Sequence, residues 1–137
     1  NFMCQYLLAE TYVDMFDSEK RISVYSKESD ELEAHHIIPL GTAKKVGEST
    51  AKLRNNNKHI CNSPLNFVYI TKTANKEILD EPLDSYANKI CEEAKSVLGI
   101  TGYIKATDNV SEIKEILSAR YEYLKGKIKN KIMLLIS

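Results

Sequence analysis

Apolar residues recur at helical spacing over residues 2–17, where Phe2, Tyr6, Ala9, Val13 and Phe16 share one face. That stripe predicts an amphipathic helix. Residues 18–31 are polar and serine-rich, interrupted by Ile22, Val24 and Tyr25, and predict a loop with a short strand. Leu32–Leu40 predicts a short strand that stops at Pro39, because proline cannot donate to a ladder. Polar residues then run from Gly41 to Asn62, with Gly47 and the triplet Asn55-Asn56-Asn57. This predicts a long loop with one helical turn near Thr50–Arg54, and loops of that length are usually functional or mobile. Asn66–Ile70 is rich in β-branched and aromatic residues and predicts a second strand. Thr71 or Thr73 can cap a helix that begins near Ala74 and runs toward Leu79.

The remainder is helical in pattern. Pro82 suits the first turn of a helix over 82–98 that closes at Gly99, with Leu83, Ala87, Ile90, Cys91, Ala94, Val97 and Leu98 on its apolar face. Residues 100–108 form a connector. Ser111 opens a last long helix over 110–134, although Lys114 stands where a capping box would place an acid. Its stripe is Ile113, Ile116, Leu117, Tyr121, Leu124, Ile128 and Ile132. No internal repeat is present. The pattern predicts an α+β fold: a mostly helical domain around a small strand–loop–strand–helix core at 32–79, with helical scaffold at 1–17 and 82–134.

Length and composition narrow the class. A chain of 137 residues fits one domain with a real core. At 43% hydrophobic and 28% charged it is not the composition of a disordered chain. No apolar run approaches the roughly 20 residues that span a bilayer, so no membrane partner is expected. The chain begins at Asn1 with no signal-peptide pattern, which reads as a piece of a longer protein. Cys4, Cys61 and Cys91 are odd in number and widely spaced, with no CxxC pair. They read as reduced thiols in a cytoplasmic protein, neither a disulfide framework nor a thiolate zinc site. The net charge of zero hides an uneven distribution. Between Leu40 and Lys76 seven cations (Lys44, Lys45, Lys52, Arg54, Lys58, Lys72 and Lys76) face the single acid Glu48. Such a run is a solvated loop or a set of phosphate contacts, and it adjoins a histidine pair.

That pair is His35-His36, with Ile37-Ile38-Pro39 directly after it. Neighbours on a strand point to opposite faces, so the two imidazoles suit separate tasks, one holding a metal and the other activating a water. Asn66 opens the second strand and Asn75 lies nine residues on, early in the next helix. Nine residues accommodate a strand, a tight turn and a helix start, which can bring Asn75 back toward the histidines. His59 reads as a surface loop residue or a phosphate contact, and Asn62 as structural support for the loop. Tyr121 and Tyr123 read as packing residues.

Ala34-His35-His36-Ile37-Ile38-Pro39, with Ser63-Pro64-Leu65-Asn66-Phe67-Val68-Tyr69-Ile70-Thr71-Lys72-Thr73-Ala74-Asn75-Lys76, resembles the HNH endonuclease motif. The version it is most similar to lies in the C-terminal domain of GmrSD-like, modification-dependent restriction enzymes. The segment Asp80–Tyr86 also resembles the stretch immediately C-terminal to the motif in those enzymes, and the resemblance covers roughly residues 32–90. It implies a ββα-metal core and a metal-dependent DNA endonuclease serving bacterial anti-phage defence. It also implies a separate sensor or NTPase domain elsewhere in the full-length protein. In the roles the resemblance assigns, His36 is the general base and Asn66 holds the loop or orients the base. His35 and Asn75 bind one divalent ion. Mg²⁺ or Mn²⁺ is the family expectation, but two neutral ligands favour softer ions such as Mn²⁺, Ni²⁺, Co²⁺ or Zn²⁺. Glu33, two residues before His35 and on the same face of a strand, is a candidate outer-shell residue behind the ligands or a supplementary ligand. The competing readings are a catalytically weak HNH-like module that binds DNA or a partner, and a helical interaction domain.

Overall fold

The structure, a computed structural model, describes residues 2–22, 31–43, 48–79, 81–100 and 107–137. In chain order the elements are α1 (Phe2–Glu10), β1 (Leu32–His36), α2 (Leu40–Ala43), α3 (Thr50–Arg54), β2 (Phe67–Thr71), α4 (Lys72–Ile78), α5 (Leu83–Tyr86), α6 (Glu92–Leu98) and α7 (Val110–Ile136). Short 3₁₀ turns lie at Ile60–Asn62, Pro64–Asn66 and Ala87–Lys89. The fold is α+β. Two antiparallel strands pair His36 with Phe67 at one end and Leu32 with Thr71 at the other. α4 continues from β2 without a loop and packs back on both strands.

The local reasons are legible. Thr71 closes β2 and caps α4, its Oγ1 accepting from the Ala74 amide at 3.2 Å. Val68, Ile70, Ala74 and Ile78 are buried against Ile37, Ile38 and Leu83, so sheet and helix share one apolar core. α6 ends at Gly99, whose φ of 69° is the left-handed conformation glycine adopts without Cβ strain. Among the described residues no helix is long and apolar enough to cross a membrane.

Several boundaries differ from the sequence expectation, each for a stated interaction. The first helix stops at Glu10, not 17. Asp14 Oδ1 accepts from the amides of Phe16 and Asp17, and its Oδ2 accepts from the Thr71 hydroxyl at 2.7 Å. Asp14 therefore builds a turn and ties it to the end of β2. The strand ends at His36, before Pro39, and Leu40 begins the short α2. The helix expected over 82–98 is broken in two, because the Cys91 amide donates to the Met15 carbonyl at 3.0 Å. Pro82 is the N-cap of α5, one position before its first turn. α7 is capped by Asn109, not Ser111; its side chain accepts from the amides of Ser111 and Glu112. The strand expected around Val24 and most of the 100–108 connector lie outside the described residues.

One packing residue escaped the sequence reading. Arg120 of α7 is 4% exposed and donates to the carbonyls of Leu65 and Leu98, clamping the turn before β2 and the end of α6 to α7. Burial lowers its pKa to about 10.

Candidate functional site

β1 places two adjacent histidines in unlike surroundings. His35 is 7% exposed and lies under α4 and α5. His36 is partly exposed and leans on Phe67, with ring centroids 4.3 Å apart. The pair partition as alternation along a strand requires.

On the His35 side the polar groups form a chain. Asn75 Nδ2 donates to Glu33 Oε2 at 2.7 Å. A carboxylate only accepts, so the amide is turned with Oδ1 toward His35. His35 Nδ1 lies 2.9 Å from that oxygen and donates to it. His35 Nε2 is then the acceptor nitrogen and receives the Tyr86 hydroxyl at 3.1 Å. Tyr86 is itself buried, and that burial raises its phenol pKa well above the ordinary value, so it stays a donor.

On the His36 side a second asparagine sets the tautomer. Asn62 Nδ2 donates to the carbonyls of Leu53 and Asn56, at 2.7 and 2.9 Å, which turns Oδ1 toward His36. His36 Nε2 lies 3.3 Å from that oxygen and donates to it. Nδ1 is left carrying the lone pair. Burial lowers the His36 pKa below its ordinary value; the Asn62 bond opposes this and the Arg54 charge adds to it. The net direction keeps the ring neutral near pH 7, as a base requires.

Asn66 has a different task. It is fully buried, accepting from the Ile38 amide at 2.9 Å and donating to the carbonyls of Ile38 and Cys61 at 3.0 and 2.9 Å. It locks the chain leaving β1 to the turn before β2. Of the two roles expected for it, the structure places it in loop holding, and it is Asn62 that meets the histidine. The sequence signal was the repeated asparagine of Cys61-Asn62-Ser63-Pro64-Leu65-Asn66, where only the second was given a site role.

His35, His36, Asn75 and Arg54 line one cavity of about 600 Å³, with Pro39, Thr50 and Leu79 among its other walls. Leu79, the C-cap of α4, has a φ of 55° and is 73% exposed, a strained conformation for a residue with a Cβ. The expected phosphate contacts separate. Arg54 reaches the cavity; Lys52, Lys58 and Lys76 are exposed outside its lining; Lys72 lies 3.9 Å from Glu31. Lys44 and Lys45 lie outside the described residues. His59 accepts from the Cys61 amide and caps the 3₁₀ turn, a structural task.

Among the described residues no three His, Cys, Asp or Glu side chains converge on a metal-sized point. The candidate metal donors are the neutral pair His35 Nδ1 and Asn75 Oδ1. Two cis donors on a first-row ion with bonds of about 2.1 Å stand about 3 Å apart. In this structure the 2.9 Å between them is the hydrogen bond that joins them, and an ion held by both would replace it. Glu33 meets the far side of the Asn75 amide, so its place is behind a donor and not beside it. Comparison with protein-family models, curated proteins and solved structures returned no match.

Proposed function

We propose that this domain is a metal-dependent DNA endonuclease with a ββα-metal core, and that His36 is its general base. The observation that carries this is the shared cavity. A neutral histidine whose Nδ1 carries the lone pair, an arginine and a hydrogen-bonded His–Asn pair all line it. Phosphodiester hydrolysis needs a deprotonated water in line with the leaving oxygen and positive charge beside the developing negative charge. His36 Nδ1 takes the proton of that water. The water oxygen attacks phosphorus as the P–O3′ bond breaks, and solvent protonates the leaving oxygen. Arg54 grips a non-bridging phosphate oxygen as a fixed cation. A divalent ion on His35 and Asn75 would, when bound, supply further positive charge to the phosphate and the leaving oxygen. The neutral pair favours Mn²⁺, Co²⁺, Ni²⁺ or Zn²⁺ over Mg²⁺ in the free protein. The setting, an effector of bacterial anti-phage restriction acting with a separate sensor or NTPase domain, rests on the motif resemblance alone.

The lack of a carboxylate in the donor pair favours one rival, a module that holds DNA without cutting it. Incubation of supercoiled plasmid with the protein and Mn²⁺ or Mg²⁺ separates the two. The endonuclease produces nicked or linear DNA, and His36→Ala slows it by about 10²–10⁴. Retained DNA affinity without cleavage under any divalent ion would leave the binding module.

A further inference from the structure

The metal pair of the proposed function is flanked on both sides by residues to which the HNH motif assigns no role. We infer that Glu33 and Tyr86 are positioning residues that aim His35 Nδ1 and Asn75 Oδ1 at one divalent cation. This rests on that metal assignment and deepens it.

Neither donor alone is committed to binding an ion. An asparagine amide can present either end, and only its oxygen binds a hard or borderline cation. Glu33 removes the choice: its carboxylate holds Asn75 Nδ2 at 2.7 Å, so Oδ1 faces His35. An imidazole can likewise carry its proton on either nitrogen, and only the bare nitrogen is a ligand. Without an ion, His35 Nδ1 holds the proton and donates it to Asn75 Oδ1. An ion at that point needs the proton moved to Nε2, with none gained or lost overall. Nε2 then becomes a donor, and the group facing it must accept.

Tyr86 is suited to both states. A hydroxyl donates to Nε2 when that nitrogen is bare and accepts from it when it is protonated. Its oxygen is already 3.1 Å from Nε2, so the exchange requires rotation of one O–H bond and no movement of the ring. Phe16 packs on the Tyr86 ring edge-on, with centroids 6.3 Å apart, which holds the phenol in place. A metal-binding histidine usually gives its second N–H to such a partner, and loss of that partner typically costs about 10–100-fold in metal affinity.

Calorimetric titration of Mn²⁺ into the DNA-free protein tests this without reference to cleavage. Tyr86→Phe and Glu33→Ala are each expected to weaken binding by about 10–100-fold. Glu33→Gln keeps an acceptor for Asn75 Nδ2 and is expected to restore most of the affinity. A ligand supplying negative charge would instead lose as much with Gln as with Ala, and that result would overturn the positioning role. Nitrogen-15 shifts of the His35 ring give a readout that mere packing would not move. Adding Zn²⁺ should transfer the proton from Nδ1 to Nε2 in the parent, and this transfer should be weakened in Tyr86→Phe at the same Zn²⁺ concentration. Parent-like Mn²⁺ affinity in both Tyr86→Phe and Glu33→Ala would sink the inference, while plasmid cleavage by the parent would leave the endonuclease standing. A parent that binds neither Mn²⁺ nor Zn²⁺ would remove this inference together with the metal in the proposed function.

Discussion

His35 and His36 are consecutive residues with the same side chain, yet the fold gives them opposite environments. His35 is enclosed by Tyr86, Asn75 and Glu33, a chain in which each donor meets an acceptor. His36 stands partly open, its ring tilted against Phe67, with one nitrogen tied to Asn62 and the other carrying its lone pair. The pleat supplies the division, since one residue of register exchanges the faces of a strand. A closed polar chain fixes where donors point, which suits holding an ion. An open ring with a set tautomer and a lowered pKa suits taking a proton. On the proposed function, the pair is a single sequence feature serving two chemical purposes.

The largest effect should come from the open side. His36→Ala should cut plasmid cleavage by about 10²–10⁴ in gel assays while leaving the Mn²⁺ titration unchanged. Loss of both would mean that the two histidines act as one site, which would end the comparison.

Asn66→Ala comes next and acts on both sides through the backbone. It strands the Ile38 amide and the carbonyls of Ile38 and Cys61 in the interior. Urea unfolding should show a loss of about 2–5 kcal/mol. A near-neutral change would show that the loop between the strands is held by something else.

The pH profile sharpens the account further. With His36 as the base, cleavage requires its neutral form and should fall as pH drops through the His36 pKa. Burial lowers that pKa, so the acid limb should lie below the ordinary histidine value of about 6.5. Arg54→Ala removes a charge that lowers the pKa and should move the limb to higher pH. Asn62→Ala removes a bond that raises it and should move the limb to lower pH. Arg54→Ala should also reduce the salt slope of DNA binding by about 1. Stability has the same sign: the His36 contribution is complete above about pH 6.5 and declines as pH falls toward the lowered folded value.

The smallest effect is expected at the cavity rim. Leu79→Gly should relieve the positive φ at little cost in buried surface, for a gain of about 1 kcal/mol in thermal unfolding. A loss of stability would mean that the Leu79 side chain contributes more to the end of α4 than its exposure indicates.

The parts of this site legible in the sequence are those set by local chemistry. The aromatic and β-branched run of β2, a threonine cap at Thr71 or Thr73, the turn at Thr50–Arg54 and the Gly99 stop follow from neighbouring residues, and the structure has them, with Thr71 as the cap. The nine-residue step from Asn66 to Asn75 also delivers Asn75 to His35. What sequence reasoning missed depends on partners far along the chain. Asp14 reads as helix interior until Thr71, 57 residues away, turns it into a tether. Cys91 reads as mid-helix until the Met15 carbonyl claims its amide. Asn62 and Asn66 are chemically identical, and only the folded loop decides which meets His36. Tyr86 stood out only as part of a segment trailing the motif, because its role exists through His35, 51 residues earlier.

The division of labour between the two histidines is tested most directly by anomalous diffraction from a crystal soaked in Mn²⁺. The account predicts one peak within bonding distance of both His35 Nδ1 and Asn75 Oδ1, with none on His36. A peak on His36 Nδ1, or an ordered ion elsewhere in the cavity with the His35–Asn75 hydrogen bond intact, would contradict it.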